Sequence, residues 1–145
     1  MNRQIKSRAK PINKDYYGEW VTGFYFQDLD NGEIKHYIKS CESTIEVIPE
    51  TVGQYTGLPF NIWENDIIKS RTNPNTIYVV IWNEINCCFS AFDNYEYKLI
   101  LEDKLSRKNS LANKRNINPD WLAKYQFEPI GNTTDNTELL TNTNK

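Results

Sequence analysis

Histidine and methionine each occur once in this 145-residue chain, cysteine three times, and glycine and proline six times each. Each scarcity removes a class of chemistry. The single histidine, His36, lies five positions before Cys41, and no CxxC pair exists, so neither a zinc site nor any other metal or cofactor is expected. There is no glycine-rich phosphate loop and no serine elbow, so the chain is read as non-enzymatic. The longest apolar run, TIYVVIW at 76–82, falls far short of the roughly 20 residues a membrane-spanning helix needs. The first ten residues, MNRQIKSRAK, have no apolar stretch of the secretory kind, which predicts a cytoplasmic protein. Cys41, Cys87 and Cys88 are expected as reduced thiols, the adjacent pair serving as small buried hydrophobes.

What is present is an aromatic-rich composition, 13% Phe, Trp and Tyr within 39% hydrophobic and 25% charged residues. Large rings in that proportion describe a packed core and exclude wholesale disorder. The net charge of −2 hides a separation of signs. Arg3, Lys6, Arg8, Lys10 and Lys14 make residues 1–14 a basic arm, and Lys104, Arg107, Lys108, Lys114 and Arg115 form a second basic segment. Between Asp15 and Glu50 the chain is mostly acidic.

Apolar alternation predicts a mainly β fold. WVTGFYF at 20–26 and EIKHYIK at 33–39 pair across Asn31-Gly32, a positive-φ turn dipeptide. STIEVI, NDIIKS, TIYVVIW and NCCFSAF supply further strands, and their short polar connections predict an antiparallel meander curled into a small barrel. After Asn94 good helix formers predict a solvated helix, and Asn118-Pro119-Asp120 opens a short one with Asn118 as its cap. FEPIGN returns as a strand, TDNTELL is a last helical turn, and residues 141–145 are a frayed tail. Residues 15–140 form one domain in this reading, an α+β arrangement being the alternative, with sub-units 15–58 and 59–140 as a further division. Trp20 and Trp82 are assigned to the core.

ETVGQYTGL at 50–58 concentrates two of the six glycines. Gly53 and Gly57 are expected at positive φ, turning the chain twice with Tyr55 set on the core between them.

IPETVGQYTGL with WENDII, and FEPIGNTTDNTELL near the end, together resemble the YopX-like family of phage and prophage proteins. The resemblance extends from GEWVTGFYF to ELL. Asn65 stands where that family carries glycine between two acids, and asparagine tolerates the left-handed backbone such a turn needs. Gly131 belongs to the terminal motif. The turn after Gly57 is shortened to PFNI, and Thr137 replaces a proline. The resemblance implies a small β-rich accessory protein of a phage or integrated element, acting in the bacterial host cytoplasm without an enzymatic role.

Three functional readings follow. The first is a binder of a host or phage macromolecule, a protein foremost or a second copy of itself, which modulates host machinery and possible targets such as host defence; Trp63 and Trp121 are its candidate docking rings. The second is a nucleic-acid binder using Arg8, Lys10, Arg107, Lys108, Lys114 and Arg115, with Tyr16, Tyr17, Tyr95 or Tyr97 stacking on bases. The third is an enzyme with Glu64 and Asp66 as acid and base on one face of a strand start. No membrane partner is expected.

Overall fold

The computed structural model of the protein describes residues 4–13, 15 and 19–141. The expectations for Arg3, Lys14, Tyr16, Tyr17 and the end of the tail lie outside them. The chain divides into two compact units, residues 1–57 and 58–145. Both are built on antiparallel sheets, so the fold is mainly β.

In the first unit, β1 (Ser7–Ala9), β2 (Val21–Asp30), β3 (Glu33–Lys39), β4 (Thr44–Glu46) and β5 (Gly53–Gln54) form a sheet of order β4-β3-β2-β1-β5. The β2–β3 hairpin turns where the sequence places it, Asn31 at φ 51° and Gly32 at φ 81° supplying the consecutive left-handed pair of a two-residue turn. Ala9, Ile38 and Val47 are buried together, with Val21, Tyr25, Ile45 and Val52 against them. The amino-terminal segment is thus no pendant arm: β1 sits between β2 and β5, and its Ala9 is 0% exposed.

In the second unit, β6 (Asp66–Ser70), β7 (Ile77–Asn83), β8 (Cys88–Asp93) and β9 (Phe127–Asn132) form a sheet of order β8-β7-β6-β9. Helices α1 (Asn94–Leu101), α2 (Arg107–Ala112), α3 (Pro119–Lys124) and α4 (Glu138–Thr141) complete it. Both faces of the sheet are covered, which explains why β7 reads as a continuous apolar run. Ile67, Val79, Ile81 and Phe92 pack with Leu111 and Leu140 on one face, while Ile68 and Val80 pack with Ile117, Leu122 and Phe127 on the other.

Several expectations are corrected. The strands make two open sheets and not a barrel, although a Pro11–Val47 bridge ties the ends of two strands in the first unit. Only Gly57 of the glycine pair takes a positive φ, at 75°; Gly53 is buried in β5, extended opposite Arg8, so the chain does not reverse there. Trp82 is 38% exposed: it stands outside the buried clusters on either face of the sheet, with its ring edge-on to Phe89, while its neighbour Asn83 on the opposite face is fully buried. Cys87 is exposed in the β7–β8 turn at φ 52°, and Cys88 is half-buried, so they are not two core hydrophobes. The long helix after Asn94 breaks into α1 and α2 at Asp103, φ 56°, and Ser106 caps the new start by accepting from Asn109 N at 3.3 Å.

Candidate binding groove

The second unit carries a groove of about 740 Å³ lined by Tyr78, Ala91, Asp93, Glu96, Lys114, Arg115, Asn116, Ile117, Asn118 and Trp121. That is the size range of ligand-binding clefts, roughly 300–1,000 Å³. Its floor is the β7–β8 pair, where Tyr78 stands directly opposite Asp93 and Val80 opposite Ala91. Alanine at 91 leaves the space between two larger neighbours. One wall is the start of α1, capped by Asp93, whose Oδ1 accepts from Tyr95 N at 2.9 Å. The other is the segment 114–118 leading into α3, where Asn118 Oδ1 accepts from Asp120 N at 2.8 Å, as the Asn-Pro-Asp signature requires.

The 114–118 wall is fixed by a buried asparagine. Asn83 is 0% exposed and donates through Nδ2 to Ser90 Oγ at 3.1 Å and to Leu111 O at 3.0 Å. Its Oδ1 accepts from Ile85 N and Asn86 N, both at 3.1 Å. Asn86 continues the ties, its Nδ2 donating to Lys114 O at 2.6 Å. The β7–β8 turn thereby holds the backbone carbonyl of a groove residue.

Within the groove the charges are of both signs. Lys114 Nζ lies 2.8 Å from Glu96 Oε1, while Arg115 is exposed with no carboxylate at ion-pair distance among the described residues. The Trp121 ring tilts against Phe127 at 4.3 Å and meets Tyr78 edge-on at 5.5 Å. Burial holds the Tyr78 phenol above its ordinary range, assisted by Asp93 and opposed by Lys114, so the hydroxyl is a donor at neutral pH. The arrangement offers an aromatic face, amides, one uncompensated cation and acids within a single cleft.

Three residues singled out in the sequence, Lys114, Arg115 and Trp121, meet here. The rest do not. Arg107 is engaged by Glu84, Nε to Oε1 at 3.1 Å and Nη2 to Oε2 at 3.2 Å, and Lys108 is exposed on α2. Arg8 and Lys10 belong to the first unit, each placed 4.4 Å over the Trp20 ring. Tyr95 is exposed at the start of α1, and Tyr97 packs against the core, where burial raises its pKa.

Trp63, expected as a docking ring, is 7% exposed and belongs to the interior. Its backbone N–H donates to Asp66 Oδ2 at 2.8 Å across a turn that Asn65 makes at φ 71°. That turn also separates the carboxylate pair. Asp66 is 4% exposed at the head of β6, and Glu64 lies in the turn, so the two do not share a strand face as expected. Asp66 works as the turn's internal acceptor. His36 lies 2.6 Å from the Tyr25 hydroxyl, and among the described residues no group of three or more His, Cys, Asp or Glu is placed to hold a metal ion. Gly131 sits in β9 where a Cβ would come within 2.5 Å of Asn136 Oδ1, which itself accepts from Asn132 N at 3.1 Å.

Tyr78, Asp93, Glu96, Asn116 and Asn118 were not singled out as site residues from the sequence. Only the strand pairing puts Tyr78 beside Asp93, and only the path of the 101–117 segment returns Lys114 to Glu96.

This is a two-unit, mainly β protein with an open groove of mixed charge. The YopX family, described as YopX protein, matches residues 8–141, and the chain belongs to that family, a phage-type one. No curated protein matches it. Among the described residues no helix is long and apolar enough to cross a membrane.

Proposed function

We propose that the chain is a non-catalytic phage accessory protein that binds a host or phage protein in the host cytoplasm and so modulates host machinery, with defence systems among the targets. The observation that carries this reading is the convergence of Arg115, Trp121, Tyr78 and the Glu96–Lys114 pair on one groove. Polypeptide surfaces present both signs of charge together with rings and amides, and aromatic and arginine side chains in clefts dominate protein-binding energy. A groove with as many acids as bases suits such a partner.

The nucleic-acid reading ranks second. Its support is Arg115 and Lys108, exposed in the second unit. Against it, Arg107 and Lys114 already hold carboxylates, whereas a phosphate-binding face keeps its cations available.

Affinity capture from phage-infected lysate tests both, with and without nuclease, using the wild-type chain and Arg115→Glu. A partner protein retained after nuclease and lost with Arg115→Glu is the expected result. Capture abolished by nuclease would transfer the assignment to nucleic acid, and capture indifferent to Arg115→Glu would overturn the groove as the docking site.

A further inference from the structure

The β2–β3 hairpin outruns its neighbours. Among the described residues β1 accompanies β2 only along Val21–Gly23, and β4 accompanies β3 only along Tyr37–Lys39. The last contact on the β3 side is Val47 N donating to His36 O at 2.9 Å, after which the chain leaves to pair with the β1 end through Ile48 N and Lys10 O. From Gln27 to Lys35 the hairpin is therefore, among the described residues, a two-stranded ribbon, a form with little stability of its own in water. It carries Leu29 and Ile34 as a cross-strand pair, 69% and 63% exposed.

The two edges of this ribbon differ. Residues on the outer edge of β3 alternate: His36 O and Ser40 N both point toward β4, so Ile34, of the same parity, presents its N–H and C=O outward beyond the end of β4. On the β2 edge the corresponding donor is already engaged, Leu29 N donating to Asp28 Oδ1 at 2.8 Å. One edge is blunted and the other is open.

We propose that two copies of the chain join along the open edge of β3 over Glu33–Lys35, antiparallel and centred on Ile34, so that the two hairpin ends make a short four-stranded ribbon that stops where Val47 takes His36. The sequence at this edge is self-complementary. With Ile34 opposite the partner's Ile34, each donates its N–H to the other's carbonyl, and Glu33 falls opposite the partner's Lys35 twice over. Lys35 then lies between the partner's Glu33 and its own Asp30, to which Nζ stands at 3.0 Å. On the other face Leu29 and Ile34 of both copies make one apolar row. The two-fold pairing consumes the open edge, and the blunted β2 edge stops further growth. This inference goes beyond the groove reading and concerns the first unit alone, so either can fail without the other.

Sedimentation of the full chain between about 5 and about 500 µM tests it, that range covering the affinity such a short edge can supply. Wild type is expected to pass from monomer to dimer with concentration, and Ile34→Lys to remain monomeric. Glu33→Lys and Lys35→Glu alone each weaken association at least about fivefold, and the double exchange restores it to within about twofold, because the reciprocal pairs are re-formed. In wild type, exchange of the Ile34 amide slows with concentration, a readout independent of any variant. A wild-type chain monomeric across the range, an Ile34→Lys chain that dimerises like wild type, a double exchange no better than the singles, or a concentration-independent Ile34 amide would each overturn the proposal.

Discussion

Lys114 Nζ and Glu96 Oε1 stand 2.8 Å apart, joining the segment before α3 to the first turn of α1 along one side of the groove. Both side chains are 26% exposed, a half-buried setting in which an ion pair contributes more than at the open surface and less than in the interior. A double-mutant cycle with Lys114→Met and Glu96→Gln should give a coupling of about 1 kcal/mol by urea denaturation, falling with added salt. Zero coupling at low salt would show that the two walls are held by the backbone ties alone.

Those ties predict a larger effect. Asn83→Ala leaves the Leu111 carbonyl and two turn amides without their buried partner, and the expected loss is about 3 kcal/mol. Asn83→Asp keeps the acceptor for Ile85 N and Asn86 N but removes the donor, placing a carboxylate against Leu111 O, so it should be no milder. Denaturant titration with an unchanged m-value is the check.

Gly131 and Gly57 are required for different reasons, and alanine at each should show it. At Gly131 the new Cβ meets Asn136 Oδ1, Cγ and Cβ at 2.5, 2.7 and 3.0 Å, so the side chain that bonds Asn132 N must shift; a loss of about 2 kcal/mol is expected. At Gly57 nothing lies within 4 Å, and only the φ of 75° resists, which costs about 1 kcal/mol. Replacing Gly57 by Asn should recover part of that loss, whereas Gly131→Asn should not; thermal melts of the four variants separate the two cases.

The Arg107 fork holds the Glu84 carboxyl below its ordinary range, the hydrogen bond being the main cause. A group whose folded pKa is depressed stabilises the fold above its unfolded pKa and stops doing so as pH falls through the folded value. The Arg107–Glu84 contribution should thus be complete at neutral pH and fade below the ordinary glutamate value of 4.5. Both partners are about half exposed, so the amount is small, below about 1 kcal/mol. Comparing wild type with Glu84→Gln by denaturation at pH 7 and pH 3 should show the difference between them shrinking in acid.

Much of the local structure was legible in the sequence because its causes are local. Asn31-Gly32 can close a hairpin wherever it lies between β-type runs, Asn118-Pro119-Asp120 caps a helix with its own atoms, and Asn65 can take the left-handed turn that precedes β6. Where a residue's state depended on what covers it, the reading failed. Trp82 and Trp63 have the same side chain, yet one is 38% exposed and the other 7%. The concentration of glycine predicts a turn at Gly53, but the amino-terminal segment pairs with it and keeps it extended.

The sequence by itself determined the class of the molecule and its punctuation: a mainly β chain, the positions of its hairpin, caps and left-handed turns, and its membership of a phage-type family. The tertiary structure decided which cations stay available, which aromatic rings face solvent, and that Tyr78, Asp93, Lys114, Arg115 and Trp121 share one groove. The physical reason is that alternation and capping act through nearest neighbours along the chain. Exposure and charge pairing are set instead by segments that meet only after the sheets have formed.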